Sequence, residues 1–133
     1  MNQKIMAIIY SDKGKFLLLK MNPKWLKQEG WFVVTGSTEG EDFETAVKRE
    51  VKEETGLDIC LIKPTNYSCE YEWPKNSGRM HHEKAFLVKV IEQPIILSGE
   101  HLDYKWLNQE EFLKLIDWWG DKAELKKIIE EAK

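Results

Sequence analysis

Short apolar blocks set the rhythm of the first third of the chain. Ile5 to Tyr10 is one unbroken run and Phe16 to Leu19 another, with the polar stretch Ser11-Asp12-Lys13-Gly14-Lys15 between them. Runs of this length on either side of a glycine-bearing turn predict two strands, Lys4–Tyr10 and Phe16–Lys20, joined as a hairpin. Asn22-Pro23 opens a loop that closes near Gly30. Trp31–Val34 then reads as a short strand leading into the polar turn Thr35–Gly40. A helix is expected at Asp42–Thr55, with Gly56 placed to stop it. Strands follow at Leu57–Ile62, Tyr67–Trp73, Met80–Ile91 and Asp103–Leu107. Two C-terminal helices are announced by Asn108 with Glu111 and by Asp121 with Glu124, each an N-cap residue with a glutamate three places on. Strands, helix, strands, helices is the order of an α+β fold with helices layered on a mixed sheet. At 133 residues without repeats or linkers, it is expected to form a single domain over residues 1–133.

The Asp42–Thr55 helix departs from its own pattern. At 100° per residue, Phe43, Ala46, Val47 and Val51 share one stripe that should face a core. Glu50 and Glu54 project from the same stripe, and Glu53 lies at its edge. Like charges one turn apart repel by a few tenths of a kcal/mol, at roughly the same scale as an i,i+4 pair, and burial raises the cost steeply. Protonation, pairing with a cation, or a divalent metal would each relieve it, and a solvated acidic face is the plainer account. Lys48 and Lys52 point to the opposite side, so Arg49 is the local cation within reach. Carboxylates at i, i+3 and i+4 suit Mg²⁺ or Mn²⁺, which take hard oxygen ligands together with water and phosphates.

Charge and composition narrow the chemistry. Twenty Lys and Arg stand against 23 Asp and Glu, a net charge of −3, which excludes a general nucleic-acid coat. A phosphate-bearing small molecule is still compatible, because a metal supplies positive charge locally. No apolar run approaches the ~20 residues of a membrane-spanning helix, and no secretory leader is recognisable at the N-terminus. With two cysteines, Cys60 and Cys69, a reduced cytoplasmic protein is expected. His81, His82 and His101 lack zinc-site spacing. No phosphate-loop or dinucleotide fingerprint is present.

Beyond the helix pattern stands a motif. Glu41, seven intervening residues, then Arg49-Glu50-Val51-Lys52-Glu53-Glu54-Thr55-Gly56-Leu57 match the second part of the Nudix box, G-x5-E-x7-R-E-U-x-E-E-x-G-U with U aliphatic. The chain therefore resembles the Nudix hydrolase superfamily. It departs at one place: the box glycine falls on Thr35, and Gly36 stands one residue too close to Glu41. Val34-Thr35-Gly36-Ser37 and Glu100-His101-Leu102-Asp103-Tyr104-Lys105-Trp106-Leu107 resemble the dATP pyrophosphohydrolase and dihydroneopterin triphosphate pyrophosphatase branch. The second segment also resembles diadenosine tetraphosphate hydrolases.

That resemblance implies an α/β/α sandwich and an enzyme that cuts a nucleoside diphosphate linked to another moiety by attack of water on phosphorus. The substrate is then a (deoxy)nucleoside or pterin triphosphate, with diadenosine polyphosphates, or binding without hydrolysis by a nucleotide sensor, as alternatives. It implies Glu50 and Glu54 as principal metal ligands, Glu53 as a further ligand or as the group that positions water, and the Gly36 carbonyl as another ligand. Arg49 would orient Glu53, Glu41 would hold the loop against the helix start, and Glu83 is a second candidate base. Lys20, Trp31, Arg79 and His101 are candidates for substrate contact, Lys24 and Lys27 for phosphates, and Trp118 and Trp119 for seating the last helix or meeting a partner. The implied cofactor is Mg²⁺, with Mn²⁺ as substitute, and the partner is a nucleotide-type phosphoanhydride met by a monomer or homodimer. On this assignment Glu53→Gln and Glu83→Gln lower turnover far more than melting temperature, and full activity in both removes it.

Overall fold

The computed structural model describes residues 1–26 and 30–132, so Lys27 lies outside the described residues. The elements run β1 (Asn2–Ser11), β2 (Phe16–Met21), α1 (Pro23–Leu26), β3 (Trp31–Phe32), β4 (Val34–Ser37), α2 (Phe43–Thr55), β5 (Ile59–Glu72), β6 (Met80–Val90), β7 (His101–Leu107), α3 (Gln109–Leu115) and α4 (Lys122–Glu130). Strands β3-β2-β1-β6-β5 lie side by side, β4 joins β1, and β7 joins β2. The β1–β6 pair is parallel and the others are antiparallel, giving the mixed sheet expected. Among the described residues, no helix is long and apolar enough to cross a membrane.

Strand alternation sorts the core into two layers. Ile5, Ala7 and Ile9 of β1 join Leu17, Leu19, Val34, Phe86 and Val88 against Ala46, Val47 and Val51 of α2. Met6 and Ile8 join Phe16, Leu18, Phe32, Ala85 and Leu87 against Phe112 of α3 and Leu125, Ile128 and Ile129 of α4. The result is an α/β/α sandwich. Trp118 seats the C-terminal helices, buried in the second layer between Phe32 and Tyr67, while Trp119 stacks on it at 4.7 Å and stays exposed.

The strand expected at Trp31–Val34 is two strands. β1 and β2 pair where their hairpin turns, at Tyr10↔Phe16. Farther along, β1 takes β4 as its partner and β2 takes β3, so the chain crosses between them at Val33. β4 also continues through Gly36 and Ser37, which local composition marked as turn. Conversely, the two strands expected on either side of Pro64 are one strand, β5. Pro64 is tolerated because β5 is the sheet edge and its ladder is irregular between Pro64 and Ser68.

The shortened loop closes as a tight turn. Glu41 N–H donates to the Thr38 carbonyl at 2.9 Å, and the two central residues, Glu39 and Gly40, have φ of 52° and 84°. Positive φ at both is the type I′ signature. Glycine adopts it freely, whereas Glu39 is strained there. Glu39→Gly is therefore expected to stabilise the fold by roughly 0.5–1 kcal/mol after the added chain entropy is counted, read as a higher urea midpoint. A lowered midpoint would show that the Glu39 side chain contributes more than its backbone costs.

Candidate active site

The site grows from the capped helix. Asp42 caps α2 by accepting from Thr45 N–H at 2.8 Å, and Gly56 ends it at φ 73°, its N–H donating to the Lys52 carbonyl. Between these ends Ala46, Val47 and Val51 are fully buried, which fixes the rotation of the helix. Glu50 and Glu54 are carried inward with them, at 9% and 5% exposure. Glu53, one step around the helix, keeps its side chain 58% exposed at the rim.

Arg49 ties these acids to the loop. Its Nε donates to Glu41 Oε1 at 2.7 Å, Nη1 to Glu50 Oε1 at 2.9 Å, and Nη2 to the Ser37 carbonyl at 2.8 Å. Glu53 and Glu39 lie farther off, at 3.6 and 3.9 Å. The expected Arg49–Glu53 contact is present as an ion pair, while the hydrogen bonds of Arg49 go to Glu41, Glu50 and the Ser37 carbonyl. These carboxylates, Glu41 foremost, hold the guanidinium still more firmly in its charged form.

Gly36 explains why the strand before the loop must be bare. A Cβ built there would stand 2.3 Å from the Glu50 carboxyl carbon and Oε1. Glu50 thus lies in a groove that glycine alone provides. The register puts Gly36 opposite Ile5, on the α2 face of the sheet.

Glu39, Arg49, Glu50, Glu53, Glu54, Ser98 and Glu100 line a half-open cavity of about 230 Å³. One arginine faces five carboxylates. Burial raises the Glu50 carboxyl above its ordinary value, with Arg49 opposing. Glu54 is pushed up to about 10, by burial first, then by a hydrogen bond with Glu100 and the charges of Glu50, Glu100 and Glu53. Its Oε2 is buried without a partner. An orphaned carboxylate oxygen among further acids is a donor set that fits a hard dication. Glu54, Glu100 and His101 each offer a ligand atom, all within 4.8 Å of one another.

Glu100 was missed as a site residue. It lies 46 positions beyond Glu54 in a loop that Asn22 holds: Asn22 N–H donates to the Glu100 carbonyl at 2.9 Å and Nδ2 to the Gly99 carbonyl at 3.1 Å. The only signal for it was the Glu-His pair at the start of β7.

Of the residues expected to touch substrate, His101 alone adjoins the cavity cluster among the described residues. Lys20 and Trp31 are cross-strand neighbours on the α3–α4 face, with Lys105 over the Trp31 ring at 5.0 Å. Arg79 and Lys24 are exposed, Arg79 just before β6. His81 and His82 are bound through both ring nitrogens, His81 to Asn2 and Trp73, His82 to Gln3 and Ser68.

Glu83, the second candidate base, faces away from this acid cluster. Its even-numbered neighbours on β6 face α2, where Lys84 sits over Phe43, so Glu83 faces the other way with Ala85 and Leu87. It is 2% exposed, its Oε1 has no partner, and Tyr71 Oη donates weakly to Oε2 at 3.4 Å. Burial raises its pKa, with Lys4 and Tyr71 opposing. A raised folded value means that the stability it contributes is full below the ordinary carboxylate value of 4.5 and is lost as pH rises through the folded value. Glu83→Gln stays neutral, so it is expected to melt above the wild type at pH 8 and to match it near pH 4. A variant that melts lower at pH 8 would contradict an unpaired buried carboxylate.

Comparison with known proteins adds the family. The model of the NUDIX domain matches residues 2–127. The chain is 28% identical to dihydroneopterin triphosphate diphosphatase of Escherichia coli K12 over 137 aligned positions, covering 94% of this chain and 90% of that protein. The solved structure of the E. coli dihydroneopterin triphosphate pyrophosphohydrolase superposes with a TM-score of 0.76 at 27% identity, covering 96% and 95% of the two chains. A Caenorhabditis elegans Ap4A hydrolase binary complex gives 0.75 at 26%, covering 99% and 98%. Motif, sandwich and acid-lined helix agree with these matches, and the chain belongs to the Nudix family of hydrolases, enzymes acting on phosphoanhydride bonds.

Proposed function

We propose that this chain is a divalent-metal-dependent pyrophosphohydrolase that converts a (deoxy)nucleoside or pterin triphosphate to the monophosphate and pyrophosphate, with Mg²⁺ as the working ion and Mn²⁺ able to replace it. The observation that carries this reading is the buried Glu50–Glu54 pair beside Glu100, with one oxygen of Glu54 unpartnered. Such an arrangement is costly unless a cation occupies it. Similarity to dihydroneopterin triphosphate diphosphatase over nearly the whole chain supports the choice of a triphosphate.

In this reading Glu50, Glu54 and Glu100 would hold the metal, with the Gly36 carbonyl as a further candidate ligand. When bound, the cation offsets phosphate charge and makes the attacking water more acidic. Glu53, at the rim and open to solvent, accepts a proton from that water. The water oxygen forms a bond to phosphorus as the bridging P–O bond breaks, and pyrophosphate leaves with the electron pair. Arg49 fixes Glu50 through one hydrogen bond and the loop through two others, so the acids keep their spacing during attack. Glu83, Lys20 and Trp31 share the opposite sheet face. None of the three lines the acid cavity, and in this reading Glu53 rather than Glu83 is the base.

A dinucleoside polyphosphate substrate is the second reading, favoured by the likeness to the Ap4A hydrolase structure. Release of pyrophosphate from dihydroneopterin triphosphate and dATP, against release of ATP from diadenosine tetraphosphate, separates the two when measured with Mg²⁺ and with EDTA. The triphosphates are expected to turn over at least roughly tenfold faster, with EDTA or Glu54→Gln abolishing turnover. Cleavage of diadenosine tetraphosphate alone would overturn the triphosphate assignment, and nucleotide binding without any turnover would point to a sensor.

A further inference from the structure

His101 owes its position to an irregularity in the sheet. Along β7 the register runs Trp106↔Leu17, Lys105↔Leu18, Tyr104↔Leu19 and Asp103↔Lys20, and then jumps to His101↔Met21. Leu102 is the extra residue, left without a partner in the register and 55% exposed. Strict alternation from Tyr104, which packs on the α2 layer, would turn His101 toward α3 and α4. A one-residue bulge reverses that parity. His101 is turned to the α2 side instead, where a ring nitrogen lies within 4.8 Å of carboxylate oxygens of Glu54 and Glu100.

Two atoms in this cluster are buried and unsatisfied: Glu54 Oε2 and His101 Nδ1. Both residues are more than nine-tenths buried, at 5% and 9% exposure. An orphaned carboxylate oxygen and an orphaned imidazole nitrogen, on two residues of one ligand cluster, can be satisfied together by one dication. The loop that presents His101 is tied down as well, His101 N–H donating to the Ser98 carbonyl at 3.2 Å, beside the two bonds from Asn22.

We propose that His101 Nδ1 is a direct ligand, with Glu54 and Glu100, at a mixed nitrogen–oxygen cation position that selects first-row transition dications such as Mn²⁺ and Co²⁺ over Mg²⁺. Mg²⁺ takes oxygen ligands in a tight octahedron and gives up water reluctantly, whereas imidazole is a good donor to transition metals. The acid set on α2 accounts for binding of a dication; His101 accounts for which one. This inference rests on the metal-dependent reading above and concerns affinity: Mg²⁺ supports turnover, and Mn²⁺ or Co²⁺ binds this position more tightly.

Metal-stripped full-length protein, its histidines labelled with ¹⁵N, is titrated with Mn²⁺ and followed by electron paramagnetic resonance with pulsed detection of nitrogen couplings. Bound Mn²⁺ is expected to show a coupling that changes from ¹⁴N to ¹⁵N character with the label. His101→Gln is expected to weaken Mn²⁺ binding by roughly tenfold or more while changing Mg²⁺ binding by less than about threefold. Bound Mn²⁺ without a histidine coupling, or equal losses for both ions, overturns the role of His101 and leaves the hydrolase reading standing. Failure of the wild type to bind Mn²⁺ or Mg²⁺ at all overturns both. The wild-type coupling decides the matter if His101→Gln does not fold.

Discussion

Two carboxylates held on the core-facing stripe of a helix are the constraint around which this molecule is arranged. Glu50 and Glu54 cannot swing into solvent, because Ala46, Val47 and Val51 lock α2 against the sheet with the acids on the same side. Rotating the helix to free them would expose those three residues, at about 1 kcal/mol or more for each larger side chain. The apolar core therefore enforces an electrostatic problem, and the surroundings of α2 are devoted to containing it.

The containment is lopsided. Arg49 neutralises the Glu41–Glu50 side and fastens it to the Ser37 carbonyl, and Gly36 clears space for the Glu50 carboxyl. Nothing comparable serves Glu54 among the described residues. Its neighbours are more acid, Glu50, Glu53 and Glu100, and its carboxyl is driven up to about 10. A protein selected for stability alone would place a hydrophobic residue there, so the unrelieved half of the cluster is the half best explained by a ligand. The type I′ turn at Thr38–Glu41 fits the same view, since a shorter loop with a strained Glu39 still delivers Glu41 to Arg49.

What the sequence disclosed, and what it withheld, follows from the range of each interaction. Caps at Asn108 and Asp121 are local, and each is formed as expected, while Asp42, expected as the first helical residue, caps α2 instead. The conflict on α2 was visible because helical periodicity alone puts Glu50 and Glu54 among Ala46, Val47 and Val51. Gly36 and Arg49 entered through a contiguous motif. Glu100 did not, because its place beside Glu54 depends on a loop anchored by Asn22, a residue 78 positions away in sequence. The face of Glu83 was hidden for another reason. Alternation shows that Glu83 opposes Lys84, but which face carries α2 is settled only when β1, β4 and β6 assemble. His101 was hardest of all: a bulge at Leu102 inverts the parity that pattern reading relies on. Pro64 misled in the opposite direction, suggesting a break where an edge strand absorbs an irregularity.

The central claim is that Glu50, Glu54 and Glu100 exist as a group because a divalent cation joins them. Anomalous diffraction at the manganese edge, from crystals of the full chain grown with Mn²⁺, tests it most directly. The account predicts a strong anomalous peak within coordination distance of Glu54 and of at least one of Glu50 and Glu100. A peak confined to other surface carboxylates, with Glu54 left unligated in its buried position, would contradict it.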